Sequence, residues 1–217
     1  GFAMISDTLT QSRSHALSPP APKTEPGGFD LARIERAVGE ILLAIGDDPT
    51  RDGLRDTPRR VAKAYGEIFA GLHEDPAEHL SRVFEHDGDE VVMLGDINFS
   101  SVCEHHLLPV LGRAHIAYLP SGGRVVGLSK LARTVQVFAR RPQLQERMTS
   151  QIADALVEHL QPEGVVVMCE AEHLCMTMRG AKSSEAKMVT VARRGTFRHD
   201  TALCSQVMTT IHNVYGS

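Results

Sequence analysis

The chain has no excess of positive charge, no long apolar run and few cysteines, and each lack excludes a class of protein. Its 217 residues carry 23 basic and 27 acidic side chains, a net charge of −4. A protein that lives on nucleic-acid backbones carries a clear basic surplus, so no nucleic-acid partner is expected. No apolar stretch approaches the roughly 20 residues that span a bilayer, and no charged start followed by an apolar segment marks a secretory signal. No membrane association is expected. Four cysteines, Cys103, Cys169, Cys175 and Cys204, are too few for the disulfide framework of a small secreted domain. They read as thiols or metal ligands in a reducing, cytoplasmic setting. What is present is histidine, 11 residues, three of them close to two of the cysteines.

At 42% hydrophobic residues the chain can bury a real core. Residues 1–28 are rich in Ser, Pro and Thr and read as a flexible arm, because that composition cannot offset the entropy of ordering. Gly1-Phe2-Ala3 ahead of Met4 looks like a cloning remnant; a transit peptide is the rival reading, weakened by sparse Arg. Residues 29–88 read as a helical region. Asp30 is a plausible cap for a helix carrying Ile34, Val38, Ile41, Leu42 and Ile45. Thr57-Pro58 reads as cap and first residue of a second helix, with Val61, Tyr65, Ile68, Phe69 and Leu72 on its stripe. Arg59, Arg60 and Lys63 lie early in it, either as solvated surface or facing an anion.

Strand texture begins near residue 90. Residues 91–94, 114–119 and 124–128 read as strands that together form an antiparallel hairpin. Ser129 then caps a helix with Leu131, Val135 and Phe138. A longer helix puts Leu144, Met148, Ile152, Leu156 and Leu160 on one side. Residues 165–178 read as the strongest strand, followed by a strand at 188–191 and a short terminal helix. The order lacks regular βαβ alternation. It implies an α+β fold, an antiparallel sheet with helices packed on one face.

Cys103 and His106 have a spacing at which one turn brings two ligands to one ion. On a strand, His173 and Cys175 point the same way. Sulfur and imidazole together suit zinc. Either piece alone is ordinarily core or chance; the pairing carries the reading. Cys169 shares a face with Cys175 but lies roughly 20 Å along the strand, and reads as a core thiol. Cys204 reads as structural. A closed site would add a fourth protein ligand such as His173; an open site would keep a water. A zinc nucleobase deaminase is set aside, because its Pro-Cys-x-x-Cys element is absent.

Five motifs resemble the GTP cyclohydrolase I family: Asp56-Thr57-Pro58-Arg59-Arg60-Val61-Ala62-Lys63, Ser101-Val102-Cys103-Glu104-His105-His106, Val126-Gly127-Leu128-Ser129-Lys130-Leu131-Ala132-Arg133, Arg141-Pro142-Gln143-Leu144-Gln145-Glu146-Arg147, and Glu172-His173-Leu174-Cys175-Met176-Thr177-Met178-Arg179-Gly180. They run in order over about residues 30–200. The resemblance implies conversion of GTP and water to formate and 7,8-dihydroneopterin triphosphate, the entry to folate or tetrahydrobiopterin synthesis. It implies one Zn2+ per subunit on Cys103, His106 and Cys175, with water in the fourth position, and proton transfer by His105 and His173. It implies guanine recognition by Glu146 with Gln145, a ribose contact at Ser129, and triphosphate binding by Arg60, Lys63, Lys130, Arg133 and Arg179. It also implies the tunnelling fold, with residues 89–217 as the catalytic domain, and a toroidal homodecamer of two pentameric rings with sites between subunits.

Taken singly, Lys130, Arg133, Glu146 and Arg179 would be solvated surface; only the joint pattern gives them roles. The stretch 181–197 departs from the Thr-rich run usual in the family. Two rival readings are a tunnelling-fold relative acting on another pterin or deazapurine, and a non-catalytic module with a closed structural zinc. The paired Cys-x2-His and His-x-Cys argue against the first. His105, His173 and Glu146 argue against the second.

Overall fold

A computed structural model describes residues 28–183 and 185–216. The expectations for residues 1–27 therefore lie outside the described residues. Leu31–Ser217 forms one compact unit.

Its helices are α1 (Leu31–Ala44), α2 (Thr57–Ile68), α3 (Ala77–Leu80), α4 (Leu128–Ala139), α5 (Gln145–Leu160), α6 (Leu174–Thr177) and α7 (Thr201–Tyr215). Its strands are β1 (Val83–Glu85), β2 (Val92–Cys103), β3 (Pro109–Leu119), β4 (Arg124–Val126), β5 (Pro142–Gln143), β6 (Gly164–His173) and β7 (Lys187–Gly195). The main sheet runs β5, β2, β3, β6, β7, and β1 pairs separately with β4. All neighbours in the main sheet are antiparallel except β2 and β5.

The α+β class expected from the sequence holds. α4 and α5 cover one face of the sheet. Leu131, Val135 and Phe138 of α4 and Met148, Ile152, Leu156 and Leu160 of α5 are buried against Ile97, Phe99, Ile116, Val165 and Val167. This is the stripe that the helical period marks. The structure adds a second layer. The short terminal helix is in fact α7, 15 residues long, and it lies on the opposite face. The reason is in β6. Its valines at 165, 166 and 167 are all fully buried, so both faces of that strand are apolar and both need cover. Val207 and Ile211 of α7 pack with Val166 and Ala117. Tyr215, at the end of α7, lies so close to Gly95 that a Cβ there would sit 2.3 Å from its ring.

Other details differ from the sequence reading. The hairpin is β2 with β3, and β4 pairs with β1 instead. Both edges of β3 are already filled near its end, Tyr118 by Val92 and Leu119 by Gly164. Helix α4 starts two residues earlier than expected, with Gly127 as its cap, so Ser129 lies inside the first turn. Helix α2 is capped at Asp56, with Thr57 already helical. The strong strand stops at His173, five residues short. In the β3–β6 register Val110 faces His173, which sets Pro109 against Leu174. Proline has no N–H to donate, and the ladder ends there. The chain turns into α6 at that point, with Met178 N–H bonding to Leu174 O at 2.9 Å. Cys175 is therefore on a helical turn, not on a strand.

Candidate metal centre

The connection between β2 and β3 is a tight turn that carries two of the candidate ligands. Cys103 closes β2 and is buried, while His105 and His106 are exposed. The turn is held shut by Cys103 N–H to Leu108 O at 2.9 Å and Leu107 N–H to Cys103 O at 2.8 Å. Leu107 takes a positive φ of 53° to make it. On the outer side, Glu104 N–H donates to Gln143 O at 3.1 Å, which anchors the turn to β5.

The third ligand arrives from the end of β6. Although α6 and not a strand presents Cys175, the ligand atoms of Cys103, His106 and Cys175 all lie within 4.8 Å of one another. Among the described residues this is the group of three or more that could hold a metal ion. Two thiols and an imidazole form a donor set suited to zinc. Burial and the adjacent Cys103 sulfur push the Cys175 thiol above its ordinary value. Two thiolates cannot share this space unaided, and a divalent cation removes that conflict, so the residues fit such an ion. His173 is not a member of the ligand group.

His173 is held from behind. Its Nε2 lies 2.8 Å from the side-chain oxygen of Gln145. An amide oxygen only accepts, so Nε2 carries a hydrogen and Nδ1 is the other exchangeable position. Burial lowers the His173 pKa, and the nearby Glu146 carboxylate opposes that shift. Gln145 itself is buried, and its amide nitrogen is shared among Cys169 O, Met188 O and Thr190 Oγ1 at 3.0–3.1 Å. The residue expected beside guanine is thus tied into the protein, while its neighbour Glu146 is exposed. Arg147 follows, with both ends of its fork on the Glu104 carboxylate. Sequence reasoning left this pair unassigned, because nothing in spacing connects positions 43 residues apart. Cys169 is a core thiol as expected, and burial pushes its pKa up to about 11. Cys204 lies on the buried face of α7, clustered with Ala117 and Val166.

The cations are distributed differently. Arg179 stands at the metal group, its Nη1 2.8 Å from His106 Nε2. Arg60 and Lys63 are exposed on α2, with Arg60 3.7 Å from Asp56. Arg133 lines a cavity of about 410 Å3 with Glu74, Glu78, His79, Gln136 and Arg140. Ser129 and Lys130 begin α4, whose 12 residues span roughly 18 Å at the α-helical rise. The other end of α4 leads into β5, which pairs with Cys103. Within one chain, Ser129 and Lys130 therefore lie at the end of the helix remote from the metal group.

Comparison with known proteins shows the family. A family model described as GTP cyclohydrolase I matches residues 34–212. A GTP cyclohydrolase 1 of Bacillus cytotoxicus is 59% identical over 182 residues, 84% of this chain and 96% of that protein. One from Halalkalibacterium halodurans is 58% identical over 182 residues, with 84% and 97% covered. Among solved structures, an apo archaeosine synthase aligns at a TM-score of 0.42 and 17% identity, covering 50% of this chain and 97% of that one. A dihydroneopterin aldolase from Burkholderia aligns at 0.35 and 15%, covering 49% and 91%. With the family match spanning most of the chain and the relatives covered almost end to end, this chain belongs to the GTP cyclohydrolase I family.

Proposed function

We propose that the chain converts GTP and water to formate and 7,8-dihydroneopterin triphosphate, using one Zn2+ on Cys103, His106 and Cys175. The observation that carries this reading is the three-ligand group with His173 close by in sequence but outside it. Cys103, His106 and Cys175 would hold the ion, which would supply Lewis-acid activation of water; the electrophile, carbon 8 of guanine, is a poor one.

The protein's own groups supply the rest. His173, oriented by Gln145, moves a proton through Nδ1 to guanine N7, which makes carbon 8 more electrophilic. Glu146 accepts from the guanine N1–H and exocyclic amine together, a pair that adenine lacks. Arg179 with Arg60, Lys63, Lys130 and Arg133 binds the triphosphate and fixes its position. His105 and Ser129 serve the later proton movements near the sugar. The thiol ligands require a reducing compartment, consistent with a cytoplasmic setting and with four free cysteines.

A working site needs more than one copy. Ser129 and Lys130 lie away from their own metal group, so a neighbouring subunit brings them to it. The sheet is open on both sides for such a neighbour. Among the described residues β7 pairs only with β6, and most of β2 pairs only with β3. Val189 and Val191 of β7 are exposed, as are Ile41, Leu43 and Ile45 at α1. Unpaired edges and apolar patches of this kind are normally covered. The assembly proposed is the toroidal homodecamer of two pentameric rings.

The test is to mix Zn2+-loaded protein with GTP and follow formate together with the fluorescent pterin formed on oxidation. Both products are expected. Absence of both from metal-loaded protein overturns the proposal. Mass measurement in solution tests the decamer.

A further inference from the structure

The first turn of α5 does three jobs in three consecutive residues. Gln145 reaches His173, Glu146 is exposed beside it, and Arg147 reaches Glu104. Glu104 sits between the candidate ligands Cys103 and His106. Arg147 Nη1 and Nη2 donate to its two carboxylate oxygens at 2.5 and 3.0 Å, a planar two-point contact. Resting on the metal reading above, we propose that Arg147 is a positioning residue: through Glu104 it fixes the metal-bearing turn, so that α5 sets both the ligand turn and His173 in one frame.

The turn needs such a hold. Three of its residues, His105, His106 and Leu107, are exposed, and Leu107 is in the left-handed region. Main-chain bonds close the turn at its base, and at its tip the side chain of His106 meets that of Arg179 at 2.8 Å, an exposed contact that leaves the Glu104 carboxylate as the turn's link to α5. Helix α5, in contrast, is fixed. Met148, Thr149, Ile152 and Ala153 are buried, and Gln145 is bonded to β6 and β7. The Arg147 fork transmits that rigidity. A lysine would keep the charge but lose the two-point geometry that sets the carboxylate plane.

The bland alternative is an ordinary surface ion pair. Both side chains are partly exposed, 44% for Arg147 and 29% for Glu104, and exposed pairs contribute little to folding stability. The two readings part on what is measured. A surface pair touches neither metal affinity nor catalysis. A positioning pair leaves the stability of metal-free protein nearly unchanged and weakens the metal site. Partners of this kind behind metal ligands typically change affinity by about 10- to 100-fold.

The experiment is chelator competition for Zn2+ on the full-length wild type, Arg147→Gln, Arg147→Lys, Glu104→Gln and the Arg147→Gln/Glu104→Gln double variant. Unfolding midpoints of the metal-free proteins are measured alongside. The expected result is a loss of Zn2+ affinity of about 10-fold or more in both single Gln variants. The double variant should lose no more than either single, because both remove one interaction. Arg147→Lys should recover part of the affinity. With GTP, kcat should fall more than KM rises. Unchanged affinity in both Gln variants overturns the proposal, as do additive losses in the double variant. If Arg147→Gln fails to fold, the near-isosteric Glu104→Gln decides alone. Wild-type protein that takes up no Zn2+ overturns the metal reading as well, a distinct result.

Discussion

The side-chain oxygen of Gln145 stands 2.8 Å from Nε2 of His173, and the amide nitrogen of the same glutamine binds two main-chain carbonyls and a threonine hydroxyl. One buried side chain therefore joins α5, β6 and β7 and orients an imidazole two residues from the candidate ligand Cys175. Removing it should be felt twice. Gln145→Ala removes these hydrogen bonds from a buried position, a loss of about 2 kcal/mol in urea unfolding. It should also lower kcat for pterin formation more than it changes KM, since the imidazole loses its orientation. A variant with unchanged kcat would show that His173 needs no such support.

Metal loading should depend on pH in one direction. Each thiol must lose its proton to bind, and Cys175 holds its proton above the ordinary value because of burial and Cys103. Zn2+ affinity should fall as pH drops from about 8 to about 6, with protons released on binding. Calorimetry in buffers of different ionisation enthalpy measures that release. Cys175→Ala should lose stoichiometric Zn2+ and GTP turnover together; turnover at the wild-type rate would remove Cys175 from the metal site.

His115 gives a separate pH effect on folding. It is buried, its Nδ1 accepts from Asp96 N–H at 3.2 Å, and burial lowers its pKa below 6.5 despite Asp96 and Glu170. A lowered histidine pKa means that the unfolded chain takes the proton first. Its contribution is intact above the unfolded value and is lost as pH falls through that value toward the folded one. Thermal midpoints should drop as pH falls below the ordinary histidine value of about 6.5, and a His115→Gln variant should show a smaller drop. Equal slopes would assign the effect to other groups.

The proposed division of the site between subunits predicts complementation. Lys130→Ala and Cys175→Ala should each be nearly inactive alone. Dissociated, mixed and reassociated, they should regain activity, because some interfaces then receive an intact metal group from one subunit and an intact Lys130 from the other. No recovery after verified subunit exchange would place the whole site in one chain.

The helical stripes were legible because their spacing is local. Leu131, Val135 and Phe138, and then Met148, Ile152, Leu156 and Leu160, are buried as the period requires. Cys103 and His106 were legible because one turn holds both. The placement of Cys175 was legible only in outcome. Its strand assignment failed at Pro109, a residue 66 positions away whose missing N–H ends the ladder. The face covered by α7 was hidden for a similar reason, since three successive buried valines look the same whether one helix layer or two lies over them.

By itself the sequence determined the ligand types, their grouping into two local pieces, the apolar faces of the helices and the family, because each resides in residue chemistry or short spacing. Only the tertiary structure decided which atoms meet. It brought the two ligand pieces within 4.8 Å, set Gln145 behind His173, closed Arg147 on Glu104, and left Ser129 and Lys130 at the end of α4 remote from their own metal group. Those relations depend on strand register and on packing between distant segments, which no local pattern encodes.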